Sequence, residues 1–495
     1  MPHMGSMGAN SGSSVSAFTT SSTIPFWLKG KQVISAETFD VISPLDQNPL
    51  YKCSSASEED VLRAVNAAKE AYVPWSRTKP DTRRDIFLRA AELFEKRRKE
   101  MFHYSHTETG AAQNIFDIEH GFAANACRSI AGLIQVATTS SMPIVAEEGR
   151  HAMLVKEPYG VVLAISPWNI PNVLGLRACL QPLAMGNTVV LKGPEAAPGT
   201  LWAIASILHE AGLPAGCLNT LYHRPADAAK ITNMLIAHPA IKKINFTGST
   251  PVGAVIAQQA GKHLKPTVME LGGKNPVIVC EDADVQQAAL KCAMGAFLHS
   301  GQICMSTERI IVNAKIADTF RSALCAAMLK FFADQGTDAA QLVNTTAVEK
   351  NQWLLKDALT KGANLANNIA HGVEYGGTRM QPVVIEHVKP GMEIYNTESF
   401  GPTVSLFVVD TDEEAVAIAN DTPYGLSSAV FTEDLRRGFN IARAIESGAV
   451  HINSMTVHDE PALPHGGVKS SGWGRFSGLQ GLDEWVQTKV VSWRD

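Results

Sequence analysis

Cys304 stands in the stretch H-S-G-Q-I-C-M-S-T-E-R-I, His299 to Ile310, between a glycine turn and an apolar, arginine-bearing run. A thiol on a loop becomes a nucleophile once it ionises, whereas a thiol packed in a core is inert. The local residues leave both readings open. V-M-E-L-G-G-K-N-P, 268–276, puts Glu270 near the end of an apolar run, just before two glycines. Among Val, Met and Leu its carboxyl is expected to have a raised pKa, which suits a general base. An edge-strand carboxylate paired to a lysine fits the same residues. I-S-P-W-N-I-P, 165–171, holds Asn169 between two prolines that restrict the backbone and remove donors. Its amide could donate to a developing oxyanion, or simply close an Asx-type turn.

Three more stretches could meet a cofactor. I-N-F-T-G-S-T-P-V-G, 244–253, reads as a strand, a tight turn at Gly248 and a helix start. Ser249 and Thr250 are capping residues, and Pro251 suits the first helical turn. Free N–H groups and the helix dipole favour a phosphate there. The stretch is neither a Walker A loop nor G-x-G-x-x-G, and a plain strand-to-helix turn also fits. V-V-L-K-G-P-E, 189–195, ends a strand at Lys192, with Glu195 three residues on. An acid or a lysine there can meet ribose hydroxyls, or both can be a solvated loop pair. N-T-E-S-F-G-P, 396–402, ends in a bend and alone reads as a turn.

The elements that must position these residues follow from periodicity. Ser57 and Asp60 read as a capping pair for a helix to Trp75, with Val61, Leu62 and Val65 on one face. Helical patterns continue to about 138. Strand-like runs then appear within 152–166 and at 187–192, 217–222, 242–246 and 266–271. Helical patterns separate the later ones, over Leu201 to Ala211 and near 226–237 and 251–261. After Pro276 come P-V-I-V-C, a helix near 283–298, the Cys304 loop, R-I-I-V-N and another helix. Further strands lie near 403–409, 427–431 and 448–452. Short strands alternating with longer helices predict an α/β fold, with mostly parallel sheets covered on both faces. Such sheets bind ligands at the carboxyl ends of their strands. Two lobes are expected to meet around 270–275.

Composition narrows the function. The 495 residues are 45% hydrophobic and 18% charged, as in an ordinary globular chain of several domains. A formal charge of -5 offers no basic stripe for nucleic acid. No apolar run nears the ~20 residues that span a bilayer, so no membrane partner is expected. The eight cysteines are scattered, with no C-x-x-C pair and no zinc-spaced cluster. No disulfide framework and no metal are therefore expected, and a reducing compartment fits. Residues 1–23 lack Lys and Arg, unlike a secretory or mitochondrial leader. They read as a disordered tail, with a cytoplasmic address by default.

Taken together and in order, P-W-N-x-P, L-K-G-P-E, F-T-G-S-T, M-E-L-G-G-K-N-P, G-Q-I-C, E-S-F-G-P and P-H-G-G-V-K-S-S-G-W-G-R resemble the aldehyde dehydrogenase superfamily from residue 24 to 495. The resemblance implies two doubly wound parallel-sheet lobes. They would be an NAD-binding domain over 24–145 and 166–271 and a catalytic domain over 272–479. An oligomerisation β element would come from 146–165 and 480–495. It implies oxidation of a small-molecule aldehyde to the acid, with NAD as cofactor and NADP possible, in a homodimer or homotetramer. Cys304 would be the nucleophile, and Asn169 with the Cys304 N–H would hold the oxyanion. Hydride would leave for the nicotinamide, and Glu270 would activate water against the resulting thioester. Lys192 and Glu195 would meet the adenine ribose, Gly248 and Ser249 the pyrophosphate, and Glu398 the nicotinamide ribose, with Phe400 beside the ring. Ile165, Ser166, Trp168, Phe246, Val252 and Leu271 would complete the cofactor site. Glu195 should repel a ribose 2′-phosphate.

G-Q-I-C-M-S-T-E-R-I with S-S-G-W-G-R is most similar to the salicylaldehyde, vanillin and benzaldehyde dehydrogenase branch. Arg177 stands where other members often carry a bulky aromatic. It could donate to a ring hydroxyl or a carboxylate, or sit in a structural salt bridge. Ile170, Leu174, Ile303 and Met305 would offer apolar surface. His465 replaces a frequent Phe, and with His458 it implies a more polar outer pocket. Neither histidine is expected to transfer a proton. Two alternatives stay open: a semialdehyde dehydrogenase using Arg177 for a distal carboxylate, and a non-catalytic binding or structural protein on this fold.

Overall fold

The computed structural model describes residues 21–337, 339–366 and 377–494. The first sheet runs Gly472–Trp473, Thr267–Glu270, Ile241–Thr247, Val161–Ile165, Thr188–Lys192, Leu218–Leu221, Phe26–Leu28 and Lys31–Val33. The strands from Thr267–Glu270 to Leu218–Leu221 are parallel. Both edges are antiparallel. Val161–Ile165 and Thr188–Lys192 are buried throughout, as strands covered by helices on both faces must be. The crossover helices Pro171–Ala184 and Pro198–Glu210 each begin on proline, whose missing N–H is no loss in a first turn.

The chain moves outward from Val161–Ile165 to Leu218–Leu221, then returns to the other side with Ile241–Thr247. The order therefore reverses between Val161–Ile165 and Ile241–Thr247, where Ile165 pairs with Phe246. A crevice opens outside the carboxyl ends at such a point. Ser166 to Asn169 and Gly248 to Ser249 follow directly from those ends.

The second sheet runs Asn364–Leu365, Val383–Glu386, Thr403–Val409, Thr307–Asn313, Asn275–Val279, Ser427–Phe431 and Ala449–Ile452. All its pairings are parallel except the first. It has its own core, in which Val277, Ile310, Leu406 and Ala429 pack together. A separate ribbon pairs Arg150–Pro158 with Val486–Arg494, antiparallel along its whole length.

Several boundaries differ from expectation. Val161–Ile165, expected in the oligomerisation element, is a central strand of the first sheet. Gly160, with φ of 132°, separates it from the ribbon strand before it. Gly472–Trp473, expected in the catalytic lobe, pairs with the edge of the first sheet at Met269 and Glu270. Of the expected tail, residues 1–20 lie outside the described residues, and Thr23 already pairs in the strand Thr23–Ile24. Glu37–Ile42 and Pro49–Ser55 form strands in a stretch that showed no apolar run. The capping pair holds: Ser57 Oγ accepts from Asp60 N, and the Asp60 carboxylate accepts from Ser57 N. Among the described residues no helix is long and apolar enough to cross a membrane.

Candidate active site

The helix Val285–Phe297 ends just before the Cys304 turn. His299, Ser300 and Gly301 then take positive φ values of 49°, 58° and 77°. For the two non-glycine residues this conformation costs about 1–3 kcal/mol each and persists only where the surroundings impose it. Gly301 packs against the Gly401 carbonyl, where any Cβ would clash. Gln302 ties the turn down: Nε2 donates to His299 O and Gln341 O, and Oε1 accepts from Val343 N. Asn275 Nδ2 donates to Cys304 O and Ser306 O, both at 2.8 Å. Cys304 is thus held rigidly yet stays partly exposed, while six of the other seven cysteines are buried.

Cys304 Sγ donates to Glu270 Oε1 at 2.9 Å. Glu270 ends its strand, fixed by register with Thr247 on one side and Gly472 on the other. Contrary to expectation, its carboxyl lies below the ordinary carboxylate range. Burial alone would raise it. His465, the Arg177 guanidinium and the Cys304 S–H bond together outweigh that burial. The thiol shifts the other way. Burial and then the negative charge of Glu270 push it well above the usual range. The resting pair is therefore a thiol bonded to a carboxylate, with a base already within reach of the thiol proton.

Asn169 is buried beside this pair. Its Nδ2 donates to Gln302 O at 2.9 Å, which aims the amide at the Cys304 turn. An amide nitrogen has two hydrogens, so one is left to donate elsewhere.

Two cavities meet at Cys304 and Leu174, which line both. The first, about 210 Å³, is also lined by Trp168, Asn169, Gly248, Ser249, Glu270, Leu271, Glu398 and Phe400. The loop carrying the last two is anchored from below. Ser399 N and Phe400 N donate to the Glu308 carboxylate, itself paired with fully buried Lys274. Phe400 stands edge-on to Trp168, with centroids 5.9 Å apart. Glu398 accepts from Gly273 N at 2.8 Å, and burial followed by the charge of Glu308 raises its pKa to about 7.

Ile165, Ser166, Lys192 and Phe246 lie at adjacent strand ends of the same sheet but outside that lining. Ser166 N donates to Lys192 O at 3.2 Å. Burial lowers the Lys192 pKa to about 8, against the pull of Glu195. Glu195 itself is exposed on the following loop, and Val252 is exposed on the first turn of the helix Thr250–Lys262. Ser249 caps that helix without a side-chain bond. An open strand-end crevice, a helix start, buried carboxyls and edge-on aromatics suit a dinucleotide.

The second cavity, about 260 Å³, is lined by every expected pocket residue: Ile170, Leu174, Arg177, Ile303, Met305, His458 and His465. Arg177 is buried and ion-paired with Asp459. It also stacks over Phe122 and Phe476 at 5.3 and 5.9 Å. His465 Nε2 lies 3.6 Å from Glu270 Oε1. The sequence did not point to Glu119, Phe122 or Asp459. Glu119 sits 1% exposed on the helix Gln113–Ala137. It accepts from Asn172 Nδ2 at 3.0 Å, and burial raises its pKa to about 8. Its placement among Ile115, Phe116 and Ala123, on the buried stripe of an amphipathic helix, was the available signal. Among the described residues no His/Cys/Asp/Glu group could hold a metal ion.

A thiol bonded to a carboxylate thus lies between a strand-end crevice and an apolar cavity. The chain belongs to the aldehyde dehydrogenase family, whose model matches residues 27–491. It is similar to a vanillin dehydrogenase of Pseudomonas sp. (strain HR199 / DSM 7063), 41% identical over 95% of this chain and 97% of the relative. The fold is similar to a salicylaldehyde dehydrogenase from Pseudomonas putida G7 complexed with salicylaldehyde. That match has a TM-score of 0.89 at 35% identity, covering 96% of this chain and 98% of the other. It is also similar to a betaine aldehyde dehydrogenase from Staphylococcus aureus in complex with NAD+. That match has a TM-score of 0.88 at 28% identity, covering 94% of each chain. The chain is therefore an oxidoreductase acting on aldehydes.

Proposed function

We propose that the chain oxidises an uncharged aromatic aldehyde, of the vanillin, salicylaldehyde or benzaldehyde kind, to its acid with NAD(P). The observation that carries this is the second cavity, apolar around Cys304 and holding an arginine already neutralised by Asp459. A ring fits Ile170, Leu174, Phe122, Ile303 and Met305. A ring hydroxyl can bond Arg177 or Glu119, which is largely protonated near neutrality. A distal carboxylate would meet Asp459 beside Arg177, which argues against a semialdehyde.

As the substrate carbonyl reaches Cys304, the S–H proton passes to Glu270 Oε1 while sulfur bonds to the carbonyl carbon. The π electrons move to oxygen. The free Asn169 N–H and the Cys304 backbone N–H are suited to hold that oxyanion. A nicotinamide dinucleotide held in the crevice would supply a hydride acceptor, so that the thiohemiacetal carbon could lose its hydride and the oxyanion re-form a carbonyl, leaving a thioester on Cys304. Lys192 and Glu195 would hold its adenine ribose, Gly248 and Ser249 its pyrophosphate, and Glu398 its second ribose, with Phe400 and Trp168 beside the ring. Ile165, Ser166, Phe246, Val252 and Leu271 would wall the crevice. After Glu270 returns its proton to solvent, it takes one from water as that water attacks the thioester. The C–S bond breaks, the Cys304 sulfur recovers a proton from Glu270, and the acid leaves. The exposed carboxylate of Glu195 favours NAD over NADP.

The chain is expected to assemble as a homodimer or homotetramer through the ribbon strand Val486–Arg494, which exposes Val490, Val491 and Trp493. Eight unpaired cysteines fit a reducing compartment such as the cytoplasm.

The test is NADH or NADPH formation from vanillin, salicylaldehyde, benzaldehyde, hexanal and succinate semialdehyde. The aromatic aldehydes are expected to have the highest kcat/KM, with NAD preferred. A preference for succinate semialdehyde, or no turnover of the aromatic aldehydes, would overturn the proposal.

A further inference from the structure

We infer that His465 is a positioning residue that keeps the buried Glu270 ionised and aimed at Cys304. The proposal rests on the reading of Glu270 as the base. His465 has little freedom to move. Its backbone N donates to Phe476 O at 2.7 Å, and its carbonyl accepts from Phe476 N at 2.8 Å. The ring is buried and lines the cavity beside Cys304. Nε2 lies 3.6 Å from Glu270 Oε1, the same oxygen that accepts from the thiol. That nitrogen has no hydrogen-bond partner among the described residues, and neither has Glu270 Oε2. One imidazole edge and one thiol thus converge on a single carboxylate oxygen.

A fully buried carboxyl in this setting would take up a proton and lose its function as a base. Among the described residues, few ionisable groups face Glu270. Cys304 faces it from the turn before Thr307–Asn313, Arg177 from the helix Pro171–Ala184, and His465 from its bridge with Phe476. Arg177 divides its charge with Asp459. His465 in turn neighbours His451, on the strand Ala449–Ile452, with His458 and Asp459 beyond it. Burial lowers the His451 pKa to about 4, so it adds no charge near neutrality. Among the described residues, that leaves His465 as the nitrogen group beside Glu270 that is not already bound to another acid.

The consequence is a direction in pH. With His465 present, the acid limb of kcat/KM lies below the ordinary carboxyl range of about 4.3. Removing a neighbouring group that lowers a buried carboxyl raises that carboxyl's pKa. In His465→Phe the limb is therefore expected at higher pH than in wild type, with activity falling as pH falls through it. His465→Gln keeps a donor beside Oε1 and is expected to move the limb less.

The experiment is the pH profile of kcat/KM for wild type, His465→Phe and His465→Gln, with matched Tm values as the check on folding. A Phe profile superimposable on the wild type, in a folded protein, would overturn the proposal. If the Phe variant does not fold, His465→Ala, which also removes the ring nitrogen, decides in the same way. The residual activity of Glu270→Gln in the His465→Phe background separates the two claims. Loss of the shifted limb there assigns it to Glu270. A limb that survives there refutes Glu270 as the base.

Discussion

Glu270 is both buried and ionised, a costly combination that this site meets with a thiol and two nitrogen groups around one carboxylate. Asn169 contributes differently, because one of its amide hydrogens is already spent on Gln302 O. If the other is reserved for charge that appears only during reaction, Asn169→Ala should lower kcat by about 10²–10³ with KM little changed. Steady-state kinetics checks this, with iodoacetamide labelling of Cys304 as a control for the integrity of the turn. A change confined to KM would remove Asn169 from the oxyanion role. Cys304, Glu270 and Asn169 stood out as candidates because each sits in a short stretch where glycine or proline brackets a reactive type, while the roles proposed for them came from the family resemblance. The depressed carboxyl of Glu270 was not legible. Only its own strand, Val-Met-Glu-Leu, could be read, and the groups that reverse its pKa come from Arg177 and His465, far along the chain. Asp459 was hidden for the same reason, since its meaning depends on Arg177.

At the scale of elements, apolar strands were read well and polar ones were not. Val161–Ile165 and Asn275–Val279 are continuous apolar runs because helices cover both their faces. Glu37–Ile42 and Pro49–Ser55 mix exposed and buried residues in a small mixed sheet with Thr23–Ile24, and their pattern was too weak to read. The ribbon is the element with the clearest unmet need. Val486–Arg494 is exposed almost throughout, yet carries Val490, Val491 and Trp493. Such a row of apolar residues on a two-stranded edge calls for a covering surface. Val491→Lys is expected to yield a smaller species by sedimentation, with the monomer fold retained. An unchanged sedimentation coefficient would contradict the proposed assembly through the ribbon.

At the scale of the molecule, the site exists only where the two sheets meet. Asn169 and Glu270 come from strand ends of the first sheet, and Cys304 from the turn entering Thr307–Asn313 of the second. The junction near 270–275 was legible, because a strand, two glycines and another strand follow one another there. How the lobes share a strand was not, since Gly472–Trp473 crosses back to pair beside Glu270. The measurement that bears most directly on the proposed chemistry is the intact mass of Glu270→Gln, acid-quenched after mixing with benzaldehyde and NAD. Expected is a benzoyl group on Cys304, formed more slowly than in wild type together with up to one equivalent of NADH, and hydrolysed more slowly still. An unmodified Cys304 alongside NADH formation, or acylation of another cysteine, would contradict the account.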